Sequence, residues 1–128
     1  MDSTVVHGRN LLFASMAVAL TSGTLPTIYV GVHGGDHHLY PDCRPEFWNS
    51  LGALVKAAYG VKIVTPFLHD SKRFIVSQGV DLGVPFDLTW SCYEGGDYPC
   101  GECGTCIERR EAFNLVGIPD PAGRKDLE

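Results

Sequence analysis

Apolar positions run from Leu11 to Leu20, a ten-residue stretch preceded by Arg9 and containing the small residues Ala17 and Ala19. It is far too short to cross a bilayer as a helix, so it is either the hydrophobic centre of a secretory signal or a helix of the core. Loss of a signal would leave the chain beginning near a strand, which favours a core helix and a cytoplasmic protein. Turn chemistry follows from Thr21 to Pro26, and the β-branched, aromatic-containing run Thr27 to Val32 predicts a buried strand. A loop with Gly31, Gly34 and Gly35 leads to Pro45, where proline in a first turn and Glu46 just inside begin a second helix. Phe47, Leu51, Leu54, Val55 and Ala58 recur at helical spacing as its buried face, and Gly60 ends it. Val61 to Thr65 is a second short strand. Asp70 or Ser71 caps a third helix, whose Phe74, Ile75 and Val76 point partly inward before Gly79 and Gly83 weaken it. From Thr105 to Val116 a last helix is expected, with Arg109 and Arg110 exposed and Ala112, Phe113 and Val116 as apolar contacts. It leads into the turn Gly117-Ile118-Pro119-Asp120-Pro121.

Helix, strand, helix, strand, helix is the rhythm of a parallel α/β sheet with crossover helices. Two parallel strands would leave both edges open and much apolar surface uncovered, so the chain reads as one half of a doubly wound domain that something else completes. The 128 residues fit one domain, with an α/β part over 1–89 and a cysteine segment and helix over 90–116. A formal charge of −5 argues against a broad basic face for nucleic acid or anionic membrane, and no nucleic-acid or membrane partner is expected.

Four of the five cysteines, Cys92, Cys100, Cys103 and Cys106, lie within fifteen residues, with seven, two and two residues between them. Overlapping Cys-x2-Cys pairs let short turns aim thiolates at one point, and a fourth sulfur across a longer loop completes the tetrahedron that Zn²⁺ prefers. Gly101 and Gly104 each follow a ligand, where glycine permits positive φ. Four thiolates leave no position for water, so the site would be closed and structural. Two disulfides would need an oxidising compartment and leave Cys43 odd. An iron–sulfur cluster is a further alternative, although the Cys-Pro of the ferredoxin run is absent.

The segment Trp90-Ser91-Cys92-Tyr93, then Pro99-Cys100-Gly101-Glu102-Cys103-Gly104-Thr105-Cys106 with Arg109, Ala112 and Phe113, closely resembles the 7-cyano-7-deazaguanine synthase family. Tyr40 to Phe47 (Tyr-Pro-Asp-Cys-Arg-Pro-Glu-Phe), Gly8-Arg9-Asn10-Leu11 and Leu82-Gly83-Val84-Pro85-Phe86 resemble other motifs of that family in the family's order. The resemblance covers nearly the whole chain but only the second half of the family. It implies a Rossmann-like fold of the adenine nucleotide alpha hydrolase type, a structural zinc on the four cysteines, and a C–N-forming ligase of queuosine biosynthesis. In that reaction ATP, with Mg²⁺, drives 7-carboxy-7-deazaguanine and ammonia to the nitrile. The family's Ser-Gly-Gly-x-Asp-Ser phosphate loop is missing, so the chain is a fragment, or a partner polypeptide supplies that loop, or the ATP chemistry has been lost; the resemblance separately implies a homodimer. A non-catalytic, zinc-stabilised 7-deazapurine-binding or assembly module is the alternative.

On that resemblance, Asp42 would accept the N–H groups of a guanine-like edge and Arg44 would clamp a carboxylate or phosphate, with a loop cap and a surface ion pair as their plainer roles. Glu46 and Asp36, which matches an acidic family position, join them as substrate-binding candidates. Arg9 and Asn10, just before the first helix, are candidates for the nucleotide. Cys43 reads as a packed small side chain. His33, His37 and His38 with Asp36 could suggest a second metal, but adjacent histidines rarely face one point and a polar loop is the simpler reading.

Overall fold

The computed structural model describes residues 5–21 and 23–122, so Ser22 of the predicted turn lies outside the described residues. Two compact units divide the chain, one being Val5–Ser71 and the other beginning at Lys72.

In the first unit the order is helix α1 (Arg9–Thr21), strand β1 (Thr27–Tyr29), helix α2 (Pro45–Tyr59) and strand β2 (Lys62–Val64). The strands pair in parallel, Thr27 opposite Lys62 and Tyr29 opposite Val64, and the ladder extends by Lys62 N–H to the Pro26 carbonyl and Val30 N–H to the Val64 carbonyl. Both strands are shorter than their apolar runs suggest, and Tyr29 is 73% exposed, so β1 is half-covered instead of buried. The reason is the two-strand sheet, which leaves a pleat covered only where a helix lies on it.

The same cause corrects the core-helix expectation for α1. Only Ala14 and Val18, one turn apart, are buried, while Leu11, Leu12, Phe13, Met16 and Leu20 stay exposed. A helix apolar all round needs neighbours on two sides, and this unit provides one. Along α2, Pro45 occupies the first turn and Gly60 closes the end at φ 71°, its N–H donating to the Lys56 carbonyl. Trp48 and Val55 are its buried residues, with Phe47 and Leu51 half-buried. Leu54 and Ala58, predicted to face inward, are exposed because the buried stripe turns toward Trp48. Ala14, Val32, Cys43, Trp48 and Leu68 form one core cluster, and Val18, Val55 and Val61 a second.

The other unit holds helix α3 (Lys72–Asp81), a 3₁₀ turn at Phe86–Leu88 and helix α4 (Gly104–Val116). Its core is Val76, Ala112 and Phe113, with Phe86, Val116 and Ile118 packed against them. Val76 is buried and Ile75 half-buried, while Phe74 is 45% exposed. Lys72 Nζ and Glu108 Oε2 meet at 2.6 Å and tie α3 to α4. Both helices end on a glycine with positive φ, Gly83 at 67° and Gly117 at 83°. In each case the N–H after that glycine returns to a carbonyl five residues back, Val84 to Gly79 and Ile118 to Phe113, a Schellman closure. Arg109 is buried, against expectation, because it stands on the inner stripe of α4 with Cys106 and Phe113.

Candidate metal centre and loop cluster

Three of the four sulfurs are placed by local backbone. Gly101, at φ 77°, turns the chain so that the N–H groups of Glu102 and Cys103 both donate to Cys100 Sγ, at 3.4 and 3.3 Å. Cys103 then occupies the N-cap of α4 and Cys106 its first turn, where the positive end of the helix favours thiolate. Gly104, also expected at positive φ, is instead the first helical residue. Cys92 arrives from the extended segment after the 3₁₀ turn, and its Sγ accepts from Cys100 N–H at 3.4 Å.

The four sulfurs lie within 4.8 Å of one another, with Cys100 and Cys106 3.9 Å apart. A tetrahedral Zn²⁺ with Zn–S bonds of about 2.3 Å requires sulfur–sulfur edges of about 3.8 Å, so the donor set fits one such ion. All five cysteines are unbonded to one another, and Cys43 is not part of this group of four. Among the described residues these four form the one group of His, Cys, Asp or Glu side chains able to converge on a metal. His33 instead bonds within its loop, Nδ1 accepting from Gly35 N–H at 3.2 Å and Nε2 lying 3.4 Å from Asp36.

The electrostatics suit ligation. Cys103 is drawn down to about 6, first by the Thr105 hydroxyl and then by the N–H groups of Tyr93 and Cys106. Cys92 is lowered chiefly by Cys100 N–H. Burial pushes Cys106 up to about 12, so an ion at the centre must displace its proton. Backbone N–H donors to sulfur are the outer shell that holds thiolate ligands in place.

The remaining candidates belong to the first unit. Asn10 N–H donates to Asp42 Oδ2 at 3.2 Å, and its amide donates to the Asp42 carbonyl and to Cys43 Sγ at 3.4 and 3.6 Å. Asp42 therefore caps the start of α1 from the 3₁₀ turn Pro41–Cys43. Cys43 is 7% exposed, and burial first, then Asp36 and Asp42, raise its thiol to about 11, with Asn10 and Arg9 opposing. Asn10 thus touches the thiol directly, while the charges of Asp36, Asp42 and Arg9 act on it through space. Arg44 Nε donates to the His37 carbonyl at 2.9 Å, and Glu46 is exposed in the first turn of α2. No helix among the described residues is long and apolar enough to cross a membrane.

Sequence reasoning missed the contacts made by the segment that precedes Cys92. Thr105, Arg109, Thr89 and Asp120 bond one another or the segment before that cysteine. Arg109 was legible in principle, since Cys106, Arg109, Phe113 and Val116 recur at the spacing of a buried stripe.

The profile of the family described as "Queuosine biosynthesis protein QueC" matches residues 1–117. A protein of Marinomonas sp. named 7-cyano-7-deazaguanine synthase is 49% identical over 94% of this chain and 57% of its own length. Proteins of the same name from Rhizobium johnstonii and Brucella ovis are 45% and 43% identical over the whole chain, covering 56% and 57% of theirs. The chain therefore spans little more than half the length of these relatives. Matched across nearly all its residues by that profile, the chain belongs to the queuosine biosynthesis protein QueC family.

Proposed function

We propose that this chain is the zinc-bearing, substrate-binding part of a 7-cyano-7-deazaguanine synthase. The observation that carries the reading is identity of 43 to 49% with relatives of that name. The reaction joins 7-carboxy-7-deazaguanine and ammonia at the expense of ATP. A carboxylate is a poor electrophile until one oxygen becomes a leaving group, so ATP activates the acid, ammonia displaces the activated oxygen, and a second activation removes the oxygen of the amide to leave the nitrile. In this chain Asp42 and Asp36 would accept the N–H groups of the base, Arg44 and Glu46 would line the same substrate, and Arg9 and Asn10 would meet the nucleotide. Zinc held by Cys92, Cys100, Cys103 and Cys106 would contribute folding free energy and would leave no open coordination position for catalysis.

The residues given hold no Ser-Gly-Gly-x-Asp-Ser phosphate loop, so catalysis needs a part that carries it, whether a further stretch of the same polypeptide or a separate one. The exposed apolar face of α1 and the two-strand sheet are what further layers of a Rossmann-like domain would cover. Reconstitution with a polypeptide supplying that loop tests the proposal by mass spectrometry of products. The nitrile should form only with ATP, ammonia and both parts present, and Asp42→Ala should weaken binding of the acid at least tenfold. An intact assembly that fails to bind 7-carboxy-7-deazaguanine would overturn it. Binding without turnover would leave the module reading in its place.

A further inference from the structure

Cys100, Cys103 and Cys106 are set by one local turn, whereas Cys92 arrives across seven residues and depends on tertiary contacts. Two side chains of α4 provide them. Thr105 Oγ1 donates to the Ser91 carbonyl at 2.6 Å. Arg109 Nη1 donates to Thr89 Oγ1 at 2.7 Å and to the Thr89 carbonyl at 3.3 Å. Thr105 and Arg109 stand four residues apart on one helix face, a rise of about 6 Å. Ser91 and Thr89 stand two apart on a segment that is extended at Thr89, φ −96° and ψ 144°, and two extended residues span about 6.6 Å. The periods match, so one helix face reads every second residue of the incoming segment. Cys92 comes next, its carbonyl accepting the Trp90 indole N–H at 2.9 Å.

Arg109 is itself held rigidly. Its Nε and Nη2 donate to Asp120 at 2.7 and 2.8 Å, Nη2 also reaches the Phe86 carbonyl at 3.1 Å, and the guanidinium lies 5.1 Å from the Phe113 ring centroid. A buried guanidinium is tolerated only when its donors are matched in this way.

We propose that Arg109 is a positioning residue for the metal centre, fixing Thr89 on α4, beside the Thr105 contact to Ser91, so that Cys92 stands as the fourth ligand. The proposal rests on the reading that the four thiolates hold one ion. Its physical basis is the two-residue period of extended chain, in which a slip of one residue turns Cys92 away from the site.

The test uses the full chain loaded with Co²⁺ as a probe, because the thiolate-to-cobalt charge-transfer intensity counts sulfur ligands. Arg109→Lys and the milder Thr89→Val are each made alone and with Cys92→Ser, and helix content by circular dichroism verifies folding. Each single change should weaken Co²⁺ and Zn²⁺ binding by about 10 to 100-fold and lower the intensity toward that of three sulfurs. In the Cys92→Ser background neither should weaken binding further. Equal losses in both backgrounds, or an undiminished four-sulfur spectrum in both single variants, would overturn the proposal. A wild-type protein that binds Co²⁺ with fewer than four sulfurs would overturn the metal reading beneath it.

Discussion

Cys43 sits between the charged residues Asp42 and Arg44, a setting that suggests a nucleophile, yet its surroundings hold the proton on the sulfur. The thiol moves from 9.0 to about 11, chiefly by burial and further through Asp36 and Asp42. A raised folded-state value means that the unfolded chain releases this proton first as pH climbs. Its contribution to stability is full below pH 9 and is lost progressively between about 9 and 11. Cys43→Ala should therefore show a shallower decline of urea midpoint over that window than the wild type. At neutral pH, maleimide should label Cys43 far more slowly than Cys103 in metal-stripped protein, since the thiolate is the reacting form.

Among elements, two glycines of similar sequence context behave oppositely. A Cβ on Gly79 of α3 would overlap Cζ of Phe86 and lie 3.1 Å from its Cε2, whereas one on Gly52 of α2 meets nothing within 4 Å. The Phe86 ring has little room to yield, because it packs edge-on against Phe113 with centroids 5.0 Å apart. Alanine gains about 1 kcal/mol of helix propensity at either site, but overpacking costs about 1 to 3 kcal/mol. Urea denaturation should find Gly79→Ala destabilised and Gly52→Ala stabilised by about 0.5 to 1 kcal/mol. Sequence marks both as helix-weakening residues; only the neighbour across the interface separates them. Helix positions and their glycine closures were legible, since apolar spacing and C-terminal glycine are local signals.

At the scale of the whole molecule, metal acts on one unit. All four sulfurs lie between Cys92 and Cys106, within the unit that begins at Lys72, so chelation should raise amide hydrogen exchange over residues 72–122 while Val5–Ser71 keeps its protection. Uniform loss across both units would refute that separation. Metal affinity should rise with pH, because Cys106, held near 12, must lose a proton to bind. Zinc titrations between pH 6 and 8 should tighten by about tenfold per unit for each proton displaced. The exposed apolar residues of α1 belong to this scale as well, for a two-strand sheet buries one side of a helix that is apolar all round.

The order of helices and strands, the metal-ligand set and the family motifs were present in the chain itself, because periodicity, turn residues and Cys-x2-Cys spacing act over a few neighbours. Tertiary structure alone decided that Leu54 faces out and Trp48 in, and that Asp42 caps α1 from thirty-two residues away. It also decided that Arg109 is buried with its guanidinium on Thr89 and Asp120. Those outcomes depend on which surfaces meet, and a charged or polar side chain is buried only where distant donors and acceptors converge to satisfy it.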